Sequence, residues 1–121
     1  MGKRSGFTLI ELLVVLAAIG LLLSIAAPSY VTHIDHAREV ALRENLAAVR
    51  DGIDKFHADH ARYPADLQEL VQTAYLRSLP EDPLTERSDT WVLTVAPEGG
   101  LRDIKSGSVA RARDGTSYAS W

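Results

Sequence analysis

The sequence predicts an α+β fold: one long N-terminal helix, a membrane span in its first half and amphipathic in its second, packed on a small C-terminal antiparallel sheet. Three observations predict it. An apolar run from Phe7 to Ala27 carries a single carboxylate, Glu11; an apolar stripe at helical spacing follows from Leu42 to His60; and an alternating segment around Trp91 returns on itself after Gly99-Gly100.

The run from Phe7 to Ala27 matches the length a helix needs to cross a hydrocarbon core of about 30 Å at 1.5 Å per residue. Lys3 and Arg4 precede it and no lysine or arginine follows until Arg38, a bias that keeps the N-terminus cytoplasmic and sends the rest outward. Ala26 and Ala27 are small, but Pro28 behind them is a poor acceptor for a secretory cut, so the segment is expected to remain as an anchor. Glu11 costs about 2.5 to 3.5 kcal/mol in the middle of a span, which calls for a partner or a function; one turn inside the run, it could also reach the interface or protonate. Pro28 should bend or locally melt the helix.

Beyond it, Leu42, Leu46, Val49, Ile53, Phe56 and His60 recur in steps of four and three, the mark of an amphipathic helix facing a core. Val31, Ile34 and Ala37 lie at another azimuth and are expected to meet neighbouring molecules. Glu39 with Arg43 and Asp51 with Lys55 are acid-first pairs four apart. The helix should end near Arg62-Tyr63-Pro64. A second helix is expected from Asp66 to Tyr75 or Leu76, with Asp66 and Glu69 forming a capping box. Leu79 to Pro83 is a connector, Thr90 to Val95 a strand that buries Trp91, Leu93 and Val95, Pro97 to Gly100 a turn, and Leu101 to Lys105 the partner strand. The tail from Ser106 to Trp121 reads as loop with at most a short edge strand, pinned by Tyr118 and Trp121.

At 121 residues there is room for one compact domain besides the helix. The net charge of −3 falls to −5 without Lys3 and Arg4 and offers no footprint for nucleic acid. There is no cysteine, hence no disulfide. Ser106-Gly107-Ser108 and Asp114 provide no nucleophile with a matched base, and no glycine-rich phosphate loop follows a strand, so no enzyme activity is expected. His33 with His36, and His57 with His60 near Asp54 or Asp59, lack third and fourth metal ligands, and His60 reads as a core histidine.

The segment Gly6-Phe7-Thr8-Leu9-Ile10-Glu11-Leu12-Leu13-Val14-Val15 resembles the class III signal of the type IV pilins and of the pseudopilins of type II secretion. The resemblance implies a cut between Gly6 and Phe7 by the prepilin peptidase, methylation of the new amine, and a role for Glu11 in neutralising the N-terminal amine of a neighbouring subunit. Pro28 stands where the family tends to carry a proline at the exit of its apolar segment. The implied division is a leader over 1–6, an assembly helix over 7–28, and a periplasmic, type IV pilin-like head over 29–121 that includes the rest of the long helix.

Tyr63-Pro64, Tyr75-Leu76, Leu79-Pro80, Asp82-Pro83, Asp103-Ile104 and Ser106-Gly107 fall in the order seen in the major pseudopilins of type II secretion. This implies a structural subunit of a periplasmic filament, held in the inner membrane before assembly. Its partners would be other copies, other pseudopilins, the peptidase, an inner-membrane assembly platform and secreted cargo. The alternatives are a subunit of a surface type IV pilus for adhesion, motility or DNA uptake, or a lone single-pass anchored binding domain. The major pseudopilins bind calcium in a C-terminal loop. Here Asp103 and Asp114 are the only acids after Glu98, and Arg111 and Arg113 crowd the second; no cofactor is expected, and these two are poor calcium ligands.

Overall fold

The computed structural model describes residues 6–121; the basic residues Lys3 and Arg4 of the expected leader lie outside them. The elements are α1 (Leu9–His60), α2 (Leu67–Gln72), β1 (Val92–Val95), β2 (Leu101–Lys105) and a closing 3-10 turn (Tyr118–Ser120). The chain divides into two compact units, one ending at Ile34 and one running from Asp35 to Trp121. The second begins beyond the residue 29 expected from Pro28.

In the first unit α1 starts at Leu9 rather than Phe7, because the Thr8 hydroxyl accepts the amide N–H of Glu11 and caps the helix. Its apolar side chains are exposed, and the helix is long and apolar enough to cross a membrane. Pro28 sits inside α1 without interrupting it, so the expected local melting is absent. Lacking an N–H, Pro28 leaves the Ser24 carbonyl without its helical donor. The Thr32 hydroxyl donates back to the Pro28 carbonyl.

The second unit is built on one face of α1. Leu42, Leu46, Val49, Ile53 and Phe56 are buried as their spacing predicts, under Leu67 and Leu70 of α2, Leu101 and Ile104 of β2, and Trp91, Ala112 and Tyr118. Each fully buried leucine, valine, isoleucine or phenylalanine among them contributes about 1.5 to 3 kcal/mol. His60 departs from the expectation: it is exposed in the last turn, with its ring 4.2 Å from Phe56, because the stripe there has run past the edge of the core.

α2 is shorter than expected. Asp66 caps it by accepting the Glu69 amide, but the Glu69 carboxylate reaches Ala65 N–H, one residue beyond the capping-box partner, and pairs with Arg62. Ala74, in the left-handed region at φ 65°, ends the helix and turns the amides of Tyr75 and Leu76 onto the Leu70 carbonyl. β1 and β2 pair antiparallel with Leu93 opposite Ile104 and Val95 opposite Leu101. The buried face expected for β1 is not formed: Trp91 is buried just before it, yet Leu93 is 49% and Val95 68% exposed. The sheet has two strands only, β2 covers α1, and β1 is its outer edge. At the turn a Cβ on Gly100 would lie 2.8 Å from the Tyr63 Cβ, and Leu101 N–H donates to the Pro64 carbonyl at 2.7 Å, so the hairpin is seated on the end of α1.

Asp82 is fully buried and joins two loops. One oxygen accepts the Ser106 hydroxyl at 2.6 Å and Gly107 N–H at 3.2 Å, and the other accepts Leu84 N–H at 2.9 Å. Gly107 is obligatory, since a Cβ there would stand 2.0 Å from the Thr90 carbonyl oxygen. Asp82→Ala strands three donors and should cost about 3 kcal/mol. Urea unfolding followed by tryptophan fluorescence should show a lower midpoint at unchanged slope; an unshifted midpoint would refute this role, and Asp82→Asn should lose less because it keeps one acceptor.

Glu69 titrates well below the usual carboxylate range, at about 2, chiefly because Arg62 and then Ala65 N–H donate to it. Its folded value lies below the unfolded one, so its stabilisation is complete above about pH 4.5 and is lost as pH falls toward 2. Glu69→Gln should flatten the acid limb of a melting-temperature profile over that window, and an unchanged limb would exclude the pair as a contributor.

Candidate functional site

The N-terminal residues singled out by the sequence lie together at the start of α1. Glu11 occupies its first turn, where the helix dipole favours a negative charge. Phe7, Ile10, Glu11, Val14 and Val15 share one face and line a shallow concavity of 490 Å³. Among the described residues the Glu11 carboxylate has no ion pair or hydrogen bond; only its amide is engaged, by Thr8. Thr8 is thus a site residue that the motif contains but that sequence reading did not assign, and the signal was a threonine three residues before an acid at a helix start. A Cβ on Gly6 would meet nothing within 4 Å among the described residues, so none of these requires glycine there. Pro28 is well separated from this group in sequence and in the helix.

The two late acids are each already engaged. Asp103 accepts from Arg50 Nε at 2.7 Å and from Ile104 N–H, and Asp114 accepts the amide and hydroxyl of Thr116. Among the described residues no group of three or more histidines or acids could hold a metal ion. The residues present do not fit the calcium loop that the resemblance implies. His57 stacks on Tyr63 with ring centroids 4.2 Å apart, and His60 lies near the Tyr75 hydroxyl, which donates to Asp59.

What holds the tail is three α1 side chains, Glu39, Arg43 and Arg50. The expected Glu39–Arg43 pair is not formed: Glu39 accepts Arg113 N–H at 2.9 Å and the Tyr118 hydroxyl at 2.9 Å, while Arg43 stacks 4.3 Å above the Trp121 ring. The Arg113 N–H holds the Glu39 carboxyl below its ordinary value, and burial, followed by the hydrogen bond to Glu39, pushes the Tyr118 hydroxyl up to about 12. Arg50 donates to Asp103 and to the carbonyls of Ile104 and Trp121. The Asp51–Lys55 pair forms as expected, at 2.8 Å. Tyr118 and Trp121 meet edge to face at 5.0 Å, which is the packing foreseen for the tail.

Residues 1–27 match the family model described as the prokaryotic N-terminal methylation motif. The chain is 31% identical to the type II secretion system core protein G of Klebsiella michiganensis, the match covering 67% of this chain and 68% of the relative. It is 30% identical to the protein of that name from Klebsiella pneumoniae, covering 69% and 71%, and 28% identical to that of Escherichia coli K12, covering 86% and 81%. No solved structure gives a significant match. A methylation motif leading into an apolar helix with Glu11 in its first turn, followed by the α+β head, agrees with these relatives: the chain belongs to the family of type II secretion system core protein G, the major pseudopilins.

Proposed function

We propose that the chain is a structural subunit of the pseudopilus of a type II secretion machine, made as an inner-membrane precursor with its N-terminus cytoplasmic and its head in the periplasm. The observation that carries this reading is the methylation motif ending in an exposed apolar helix whose one acid, Glu11, lacks a partner among the described residues. On this reading the peptidase cuts between Gly6 and Phe7, the new amine is methylated, and Glu11 of one copy pairs with that amine of the next. Pro28 adapts the helix at the exit of the apolar segment. The exposed apolar face is then covered by other copies and other pseudopilins, an assembly platform in the inner membrane supplies subunits, and the head meets cargo. The work is mechanical and needs no reaction centre.

Glu11→Ala tests it. The cut needs Gly6 and assembly needs the acid, so mass spectrometry of membrane extracts should still begin at a methylated Phe7 while crosslinked ladders disappear. Breaking a buried charge pair costs about 3 to 5 kcal/mol, enough to remove the filament. Ladders that persist in the variant would take Glu11 out of assembly, and an intact Met1 in cells holding the peptidase would sink the processed-subunit reading.

We also propose that the head folds without a divalent cation, supported by the commitment of Asp103 to Arg50 and of Asp114 to Thr116. The purified chain should melt at the same temperature with millimolar calcium or with chelator, since a ligand that binds only the native state raises its stability by mass action. A drop on chelation that Asp114→Ala abolishes would establish a metal loop instead.

A further inference from the structure

Three arginines from distant parts of the sequence surround one concavity of 310 Å³ in the second unit: Arg38 on α1, and Arg111 and Arg113 in the tail, with Asp35, Leu84, Ala110 and Tyr118 completing the wall. This runs against the average charge of the chain, which is negative. We propose that this concavity binds the phosphodiester head group of an anionic lipid, docking the head on the bilayer while the subunit awaits assembly.

The guanidinium groups are available. Arg113 gives its backbone amide to Glu39 and its side chain has no hydrogen bond or ion pair among the described residues. Arg111 spends one N–H on the Gly115 carbonyl. Arg38 lies 3.6 Å from Glu86, but with side chains 46% and 73% exposed that pair is screened and exchangeable. Of the carboxylates nearby only Asp35 lines the wall; Glu39 and Asp114 keep their charge, but their hydrogen bonds go to Arg113 N–H, Tyr118 and Thr116 and not to the guanidinium groups. Planar guanidinium forks suit phosphate oxygens, and clustered arginines beside a membrane attract anionic head groups.

Two further observations favour a bilayer over a soluble anion. Val109, two residues before Arg111, is 99% exposed, an aliphatic group placed to enter the interface next to the charges. Arg38 is the first lysine or arginine after the apolar run, eleven residues past Ala27, so the covalent chain keeps it within about 40 Å of the membrane by any path. The proposal rests on the anchored-subunit reading.

The test uses the full chain reconstituted in phosphatidylcholine vesicles with or without phosphatidylglycerol. The chain has no cysteine, so Val109→Cys gives one position for an environment-sensitive fluorophore. Emission should shift to shorter wavelength only in the anionic vesicles; Arg38→Gln should reduce the shift and Arg111→Gln with Arg113→Gln should abolish it. Equal emission in both vesicles, or a shift that the double variant keeps, overturns the proposal. Inorganic phosphate added to phosphatidylcholine vesicles should leave emission unchanged, and a shift there assigns the concavity to a free anion instead. A shift that follows the protein-to-lipid ratio at fixed composition assigns it to acidic groups of a second copy, which also overturns the lipid site. Retention of the chain after alkaline extraction checks the anchor separately, so a retained chain without a shift refutes the lipid site alone.

Discussion

Burial of one stripe of α1, from Leu42 to Phe56, is the constraint on which the head depends. α2 has six residues and the strands have four and five, and an isolated two-stranded hairpin is marginal in water. These pieces persist because each lays its apolar side chains on the same helical face. The cost falls on the sequence of α1, which must satisfy two surroundings. Up to Ile34 it presents apolar side chains outward all round, and from Leu42 it confines them to one stripe. The change of pattern within a single helix is what lets one element be apolar enough to cross a membrane at one end and act as template for a domain at the other.

With no cysteine in the chain, the coil of the head is fastened by polar side chains that reach across long stretches of sequence. Asp82 joins the 82–87 loop to Ser106 and Gly107, Glu39 takes an amide and a hydroxyl from the tail, and Arg50 binds a carboxylate and two carbonyls. Most of these bonds involve backbone groups, and at the buried Asp82 removing the side chain leaves donors unpaired, which costs more than the bond itself contributes. Loop-closure entropy rises only slowly with loop length, so a few such clamps suffice for a tail this long.

The helix, its stripe and the hairpin were legible because their signals are local and repeated: steps of three and four over several turns, Tyr63-Pro64 at the stop, Gly99-Gly100 at the reversal. The exposure of Leu93 and Val95 was not, because alternation marks a strand without saying how many strands the sheet has or how far α1 extends beneath it. Glu39 was misread for a related reason. A neighbour four residues away is visible in sequence, whereas Arg113 N–H and Tyr118 reach Glu39 only through the tertiary fold, which places Arg43 over Trp121 instead. His60 continued the stripe by count but lies where the core has already ended. At the N-terminus the methylation motif was legible in the sequence, whereas the capping role of Thr8 needed the structure.

On the proposed reading the same N-terminal geometry makes assembly conditional on the cut. A free α-amine titrates near 7.7 to 8.0, so processing gives Phe7 a positive charge that the uncut chain lacks. Glu11 sits one turn away on the face it shares with Phe7, and among the described residues it has nothing to pair with. Packing apolar helices around such a carboxylate buries a charge that must be matched or protonated. A processed neighbour brings the matching amine. An unprocessed one brings a continuing peptide with a neutral amide at the same position, leaving the carboxylate of the copy already docked unpaired. Discrimination between the two therefore requires no recognition of the leader itself; it follows from the cost of burying Glu11 without a cation.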